Sequence, residues 1–408
     1  MGRSNPSSKA NRSRILAGRV MFFNMKKIKN IALFLPNLLL IISCEPKDKF
    51  EWNAGISAPK NYISGGPFVE YFYQRNGVAG TSANVGINPG WGMTSGGYTG
   101  GEIFKPVPDS ISVSWRCGLD LIEYKVGAKL PREKMLELFK RGKEIKGKKE
   151  NYSQIITGMA PGGNVTVWLS GSFGNEEITK IKAKRVGETN KDDSNSVTLW
   201  TSTGDEAKDI LKYAYLHGIP YSVWEKGEKT YRYDIGFSSE EDRDFYESVT
   251  AFSKDGSYIF LNENQFIIPY KDWMSNHINA GVKEGKLPVH TTVQWISEDN
   301  KQWYKGEIVF PVDFQNTFES FYKKNKNVHI VYVMDKLNPS GNYTFGTIWL
   351  QGSTSKERIM KFRLAKLNNE TRKYDVSKYT LPKGFVVPKW EGRIPLYKPT
   401  DLEYWQEE

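Results

Sequence analysis

The sequence predicts an α+β protein built of two tandem, similar β-rich domains. Three observations carry this: two halves that match at an offset near 180 residues, apolar alternation over strand-length segments in both, and a short amphipathic helical segment at the same place in each. Trp52-Asn53-Ala54-Gly55-Ile56-Ser57 aligns with Tyr233-Asp234-Ile235-Gly236-Phe237-Ser238, Asn76-Gly77 with Asp255-Gly256, and Val107-Pro108 with Leu287-Pro288. Further on, Val113-Ser114-Trp115 aligns with Val293-Gln294-Trp295, and Leu130-Pro131 with Phe310-Pro311. Finally Val165-Thr166-Val167-Trp168-Leu169-Ser170-Gly171 aligns with Gly346-Thr347-Ile348-Trp349-Leu350-Gln351-Gly352. Any one pair arises by chance, but six in register at offsets of 179 to 181 make a tandem duplication the economical expectation.

In chain order, 110–115 and 119–126 alternate or run apolar like a hairpin pair, as do 291–296 and 303–310. Pro131 then opens a helix at a first position where its missing N–H costs nothing. Met135, Leu136, Leu138 and Phe139 form the apolar face of that helix against Lys134, Glu137, Lys140 and Arg141, and Phe314, Phe318, Phe321 and Tyr322 do the same in the second half. Three more strands follow each helix, near 153–158, 164–170 and 178–186, then 329–334, 343–350 and 358–364. The predicted repeat is β-β-α-β-β-β with additional N-terminal strands. Its expected bounds are 50–190 and 221–408, the latter with a C-terminal tail, joined by a linker and helix over 191–220. Trp115, Trp295, Trp168 and Trp349 stand at equivalent places in the two repeats and read as core.

The net charge of +11 invites a nucleic-acid reading until its position is examined. Residues 1–43 hold eight of the 57 Lys+Arg and none of the 46 Asp+Glu, which leaves 49 basic against 46 acidic groups afterwards, a net of +3. A phosphate-binding domain needs a positive field on its folded surface, so no nucleic-acid partner is expected.

From Met25 the chain reads MKKIKNIALFLPNLLLIISC, with three lysines before an apolar run that ends at Ser43-Cys44. That run of about a dozen residues, interrupted by Pro36 and Asn37, is short for a spanning helix of roughly 20 and fits a signal peptide. Ile41-Ile42-Ser43-Cys44 resembles the lipobox of bacterial lipoproteins, which makes Cys44 the expected lipidation site and the membrane a partner. Several acyl chains on one residue anchor stably where a single chain holds weakly. Residues 1–43 are therefore read as leader and signal, with translation expected to start at Met25, and 44–49 as a tether. With Cys44 acylated, Cys117 is left alone and no disulfide framework is expected.

Motifs for phosphate, dinucleotide or zinc binding are missing from the sequence, and no catalytic residue, metal or cofactor is expected. His217, His277, His290 and His329 are scattered without metal-ligand spacing. The acidic run 240–244 lacks the spacing of a calcium loop and reads as a solvated helix start, and the basic run 140–149 reads as a solvated helix end. Aromatic residues make up 13% of the chain, and the Gly-rich stretch 88–101 reads as a long irregular loop in which Trp91 and Tyr98 are the candidate ligand contacts.

The segment Met159-Ala160-Pro161-Gly162-Gly163-Asn164-Val165-Thr166-Val167-Trp168-Leu169, with Phe50-Glu51-Trp52 and Pro59-x-x-Tyr62, resembles a family of bacterial lipoproteins classed only as a domain of unknown function, the 2931 family. The resemblance implies a lipid-anchored envelope protein and brings no catalytic residues. The preferred expectation is a non-enzymatic binding or interaction lipoprotein of the outer membrane, holding a protein or glycan, with periplasmic or surface face left open. An immunity or inhibitor lipoprotein acting against a toxin, and an envelope-polymer hydrolase using carboxylates, are the alternatives.

Overall fold

The structure, a computed structural model, describes residues 48–62, 64–74, 77–82, 89–94, 102–188, 205–240, 247–262, 267–276, 278, 283–296, 302–336, 340–368, 378–389 and 399–407. Phe50–Glu408 form one compact unit. Met1–Lys49 form another, described only at Asp48 and Lys49, so Cys44 lies outside the described residues, as do Tyr98 and His277.

The chain is β-rich with few helices, in the α+β class. In the first half, β1 (Asn53–Ser57), β2 (Ser64–Tyr73), β3 (Gly77–Ser82), β4 (Ser110–Cys117) and β5 (Ile122–Lys129) precede helix α1 (Arg132–Arg141). After it come β6 (Gln154–Ala160), β7 (Asn164–Gly171), β8 (Gly174–Lys182) and β9 (Lys184–Glu188). One sheet has the order β8-β7-β6-β1, with β1 and β6 parallel, and the other runs β9-β5-β4-β2-β3. Strands β8 and β9 are one extended stretch broken at Ala183, where the chain passes from the first sheet to the second.

Local chemistry explains these elements. In β4 strict alternation turns Ile111, Val113, Trp115 and Cys117 inward. Strand β7 begins with six consecutive buried residues, as expected of a strand covered on both faces. Pro131 is the N-cap of α1, one residue earlier than the sequence suggested, and Met135, Leu136, Leu138 and Phe139 are its buried face. Gly142 ends the helix at φ 61°, its N–H donating to Leu138 O, and a Cβ there would lie 2.5 Å from Glu150 O.

Helices α2 (Asp205–His217) and α3 (Tyr221–Lys226) lead to the second half. It comprises β10 (Thr230–Ser239), β11 (Glu247–Ser253), β12 (Tyr258–Asn262), α4 (Tyr270–Met274), β13 (Lys283–Lys286), β14 (Pro288–Ile296) and β15 (Trp303–Val309). Then follow α5 (Phe314–Tyr322), β16 (Val328–Met334), β17 (Tyr343–Gln351), β18 (Lys356–Lys366), β19 (Tyr379–Leu381) and β20 (Tyr404–Gln406). The strand order is β12-β11-β14-β15-β18-β17-β16-β10-β13, with β10 and β16 parallel. This path closes on itself, because β13 continues through Leu287 into β14: six strands ring a core of Tyr233, Trp295, Tyr304, Phe318, Phe362 and their neighbours.

Local details recur between the halves. Trp115 faces Tyr124 across β4–β5 with ring centroids 5.1 Å apart, and Trp295 faces Tyr304 across β14–β15 at 5.4 Å. A bulge falls between Val167 and Trp168, and another between Ile348 and Trp349. Trp115, Trp295 and Trp168 are buried, while Trp349 is half-buried against Trp273.

Within the compact unit the β11–β12 turn is tied into the first half. Lys60 N–H and Trp91 N–H both donate to Gly256 O (2.9 and 3.1 Å), and Trp224 Nε1 donates to Asp255 O (2.9 Å). Helix α2 sends Ile210, Leu211, Tyr213 and Ala214 into the first core and Tyr215 and Leu216 against Val309, Tyr379 and Leu381.

Candidate binding site

The two expected ligand contacts do not form a surface among the described residues. Trp91 is only 8% exposed; it packs edge-on against Trp168 at 5.0 Å, so this side chain belongs to the core. A Gly-rich composition marks an irregular path but not which side chain turns inward. Tyr98 lies outside the described residues.

The residues that carry the family resemblance are structural too. Gly162 and Gly163 take φ of 75° and 77°, and Gly162 N–H donates to Asp120 Oδ2 at 3.0 Å. Tyr124 Oη donates to the same oxygen at 2.7 Å, and Ile122 N–H donates to Oδ1 at 3.2 Å. Burial nevertheless raises the Asp120 carboxyl above its ordinary range. Trp52 is fully buried against Tyr71 (5.6 Å), and Tyr62 lies between Tyr213 and Trp224 with its hydroxyl donating to Gly218 O.

An open groove of about 340 Å³ does lie at the rim of the second-half ring, lined by Lys229, Thr230, Tyr231, Arg232, Glu284, Glu319, Tyr322 and Lys323. Three elements build it: β10 and the residue before it, β13, and the last turn of α5. Helix α5 turns Phe314, Phe318 and Phe321 into the ring, which leaves Glu319 and Tyr322 along its flank. Oε1 of Glu319 accepts from Lys229 Nζ (2.9 Å), Gln315 Nε2 (3.3 Å) and Tyr231 Oη. These bonds, the Tyr231 one foremost, hold its carboxyl down at about 2, and Oε2 has no partner among the described residues. Lys229 Nζ also lies 4.9 Å from the Tyr231 ring.

Arg232 sits directly opposite Glu284 in the β10–β13 register, yet Glu284 Oε1 accepts from Thr230 Oγ1 (2.7 Å) instead. Arg232 and Lys323 are exposed and have no acidic partner among the described residues. The groove therefore offers two cations, two carboxylate oxygens free among the described residues, and the ring of Tyr322, which stacks on Phe318 at 5.6 Å and meets the Tyr231 ring edge-on at 6.1 Å. Such a set donates to an anion, accepts from hydroxyls and packs against C–H surface. Nothing in the sequence singled these residues out, because they come from segments some 90 residues apart.

A second polar cluster is buried where α2 meets the second half. His217 Nε2 and His290 Nδ1 are 2.9 Å apart, and His290 Nε2 lies 2.9 Å from Glu307 Oε2, which also accepts from Thr292 Oγ1 (2.6 Å). The carboxylate requires His290 Nε2–H to donate to it, so in the neutral relay His217 Nε2–H donates to His290 Nδ1. Burial, reinforced by His290 and Lys254, lowers the His217 pKa well below its ordinary value. Burial also pushes Glu307 upward, but the hydrogen bond from His290 and the electrostatic pull of His290, Lys305 and Lys378 overcome it and leave the carboxyl at about 2. Nearby, Glu228 accepts from Asp255 N–H (3.1 Å) and Lys254 N–H (3.4 Å); burial and the adjacent Asp255 raise it to about 7. Among the described residues no three His, Cys, Asp or Glu side chains converge as a metal site.

No helix of the described residues is long and apolar enough to cross a membrane. No curated protein and no solved structure matches the chain. Residues 42–222, which end within α3, match the model of the family described as "Protein of unknown function (DUF2931)".

Proposed function

We propose that this protein is a lipid-anchored lipoprotein of the bacterial cell envelope, at the outer membrane, that binds a protein or glycan partner without catalysing a reaction. The anchor reading rests on Ile41-Ile42-Ser43-Cys44 behind a lysine-led apolar run. The observation that carries the binding role is the groove at the ring's rim, whose free donors and acceptors stand on strands and a helix that the core holds in place. We further propose that the chain arose by tandem duplication. The equivalent Trp–Tyr pairs, the equivalent bulges and the parallel pairing of the first strand with the strand after the helix in each half support it.

The anchor is tested by Cys44→Ser in cells. Release from the membrane fraction is the expected result, and full retention overturns the reading. The binding role is tested by capture of a partner from intact envelopes with the full chain. Hydrolysis of an envelope polymer that disappears on a single Asp or Glu substitution would overturn it.

A further inference from the structure

We infer that the rim groove takes an acidic saccharide, a sugar unit carrying a carboxylate or phosphate; this deepens the binding-protein reading and rests on it. The groove's volume of about 340 Å³ falls at the lower end of the roughly 300–1,000 Å³ usual for small-molecule sites. Its charges are divided by function. Lys229 is committed to Glu319, and the Thr230 hydroxyl to Glu284. Left over are Arg232 on the strand wall and Lys323 at the helix end, with free oxygens Glu284 Oε2 and Glu319 Oε2 beside them among the described residues. A bare inorganic anion would meet the cations but also the repulsion of both carboxylates, and would leave the Tyr322 ring unused. A neutral sugar would give its hydroxyls to the carboxylates and leave both cations unpaired. An acidic sugar meets all three: its acid group pairs with Arg232 and Lys323, its hydroxyls donate to Glu284 and Glu319, and its C–H face lies on Tyr322.

Glu319 is held near 2, so its carboxylate stays ionised across the neutral range. Titration calorimetry of the full chain in detergent with glucuronate, glucose 6-phosphate, glucose and inorganic phosphate tests the assignment. At least one acidic sugar is expected to bind about tenfold or more tightly than glucose and than phosphate, and the tighter of the two identifies the acid. Arg232→Ala and Lys323→Ala should each weaken it by about tenfold, with the melting temperature unchanged because both side chains are exposed. Glucose or phosphate binding as tightly as the acidic sugars, no binding at all, or undiminished binding by the Arg232→Ala/Lys323→Ala double variant overturns the proposal. If that double variant still captures an envelope partner while the sugars fail, the groove assignment falls and the binding lipoprotein reading stands. Membrane retention of Cys44→Ser would sink the anchor without touching the titration.

Discussion

Two carboxyls of the buried seam are shifted in opposite directions, and each predicts a different pH dependence. Glu228 sits at about 7 in the fold against an ordinary 4.5. Between those values the folded chain holds a proton that the unfolded chain has lost, so stability falls as pH rises through the window and the whole cost is present above it. At about 1.4 kcal/mol per pKa unit the cost is up to about 3 kcal/mol. Glu228→Gln keeps an acceptor for the Lys254 and Asp255 N–H groups but cannot ionise. It should raise the melting temperature at pH 8 and change it little at pH 5; equal shifts at both would show that Glu228 is not protonated in the fold. Glu307 is the converse, held at about 2, so its contribution is present above about 4.5 and is lost as pH falls towards 2. Glu307→Ala leaves His290 Nε2–H and the Thr292 hydroxyl facing no carboxylate and should cost about 3 kcal/mol in urea unfolding at pH 7. The difference from the parent should shrink at pH 3.

At the scale of single elements, Gly158 in β6 gives the aromatic packing its room. A Cβ there would lie 2.6 Å from the Trp168 ring and 2.8 Å from the Trp91 ring, closer than carbon atoms approach. Gly158→Ala should therefore push the edge-to-face pair apart, cost about 1–3 kcal/mol and alter the near-ultraviolet circular dichroism; an unchanged spectrum would show that the pair relaxes freely. The strand that carries Trp168 was legible in the sequence, because a strand-length apolar run and a turn at Pro161-Gly162-Gly163 are local signals. The helix expected within 191–220 is α2, and its apolar periodicity of about 3.6 residues is likewise a local signal. Trp91 was not, since what turns it inward is a hydrogen bond to Gly256 O from 165 residues away and a ring from another strand. The groove and the histidine relay were hidden likewise: Tyr231 and Glu319, or His217 and His290, meet only after the ring has closed.

For the whole unit from Phe50 to Glu408, the β11–β12 turn decides whether the halves unfold together. Gly256 is left-handed at φ 79°, its carbonyl accepts from both Lys60 and Trp91, and a Cβ on it would lie 2.5 Å from Pro59 Cβ. Next to it the Asp255 carbonyl accepts from Trp224, and the Asp255 carboxylate is paired with Lys286. Each core is large, so the halves share one transition only if the seam costs more to open than either core gains by unfolding alone. The parent chain should then melt in one calorimetric transition with matching van't Hoff and calorimetric enthalpies. Gly256→Ala adds backbone strain and a clash at the same point, while leaving every residue of both cores unchanged, so it should split or broaden that transition. The second half should lose little of its own enthalpy, because the atoms that a Cβ at Gly256 would press on, those of Pro59 and Lys60, lie in the first half. A single sharp transition at the parent's temperature would mean that helix α2, through Tyr213 on one side and Leu216 on the other, couples the halves without the turn.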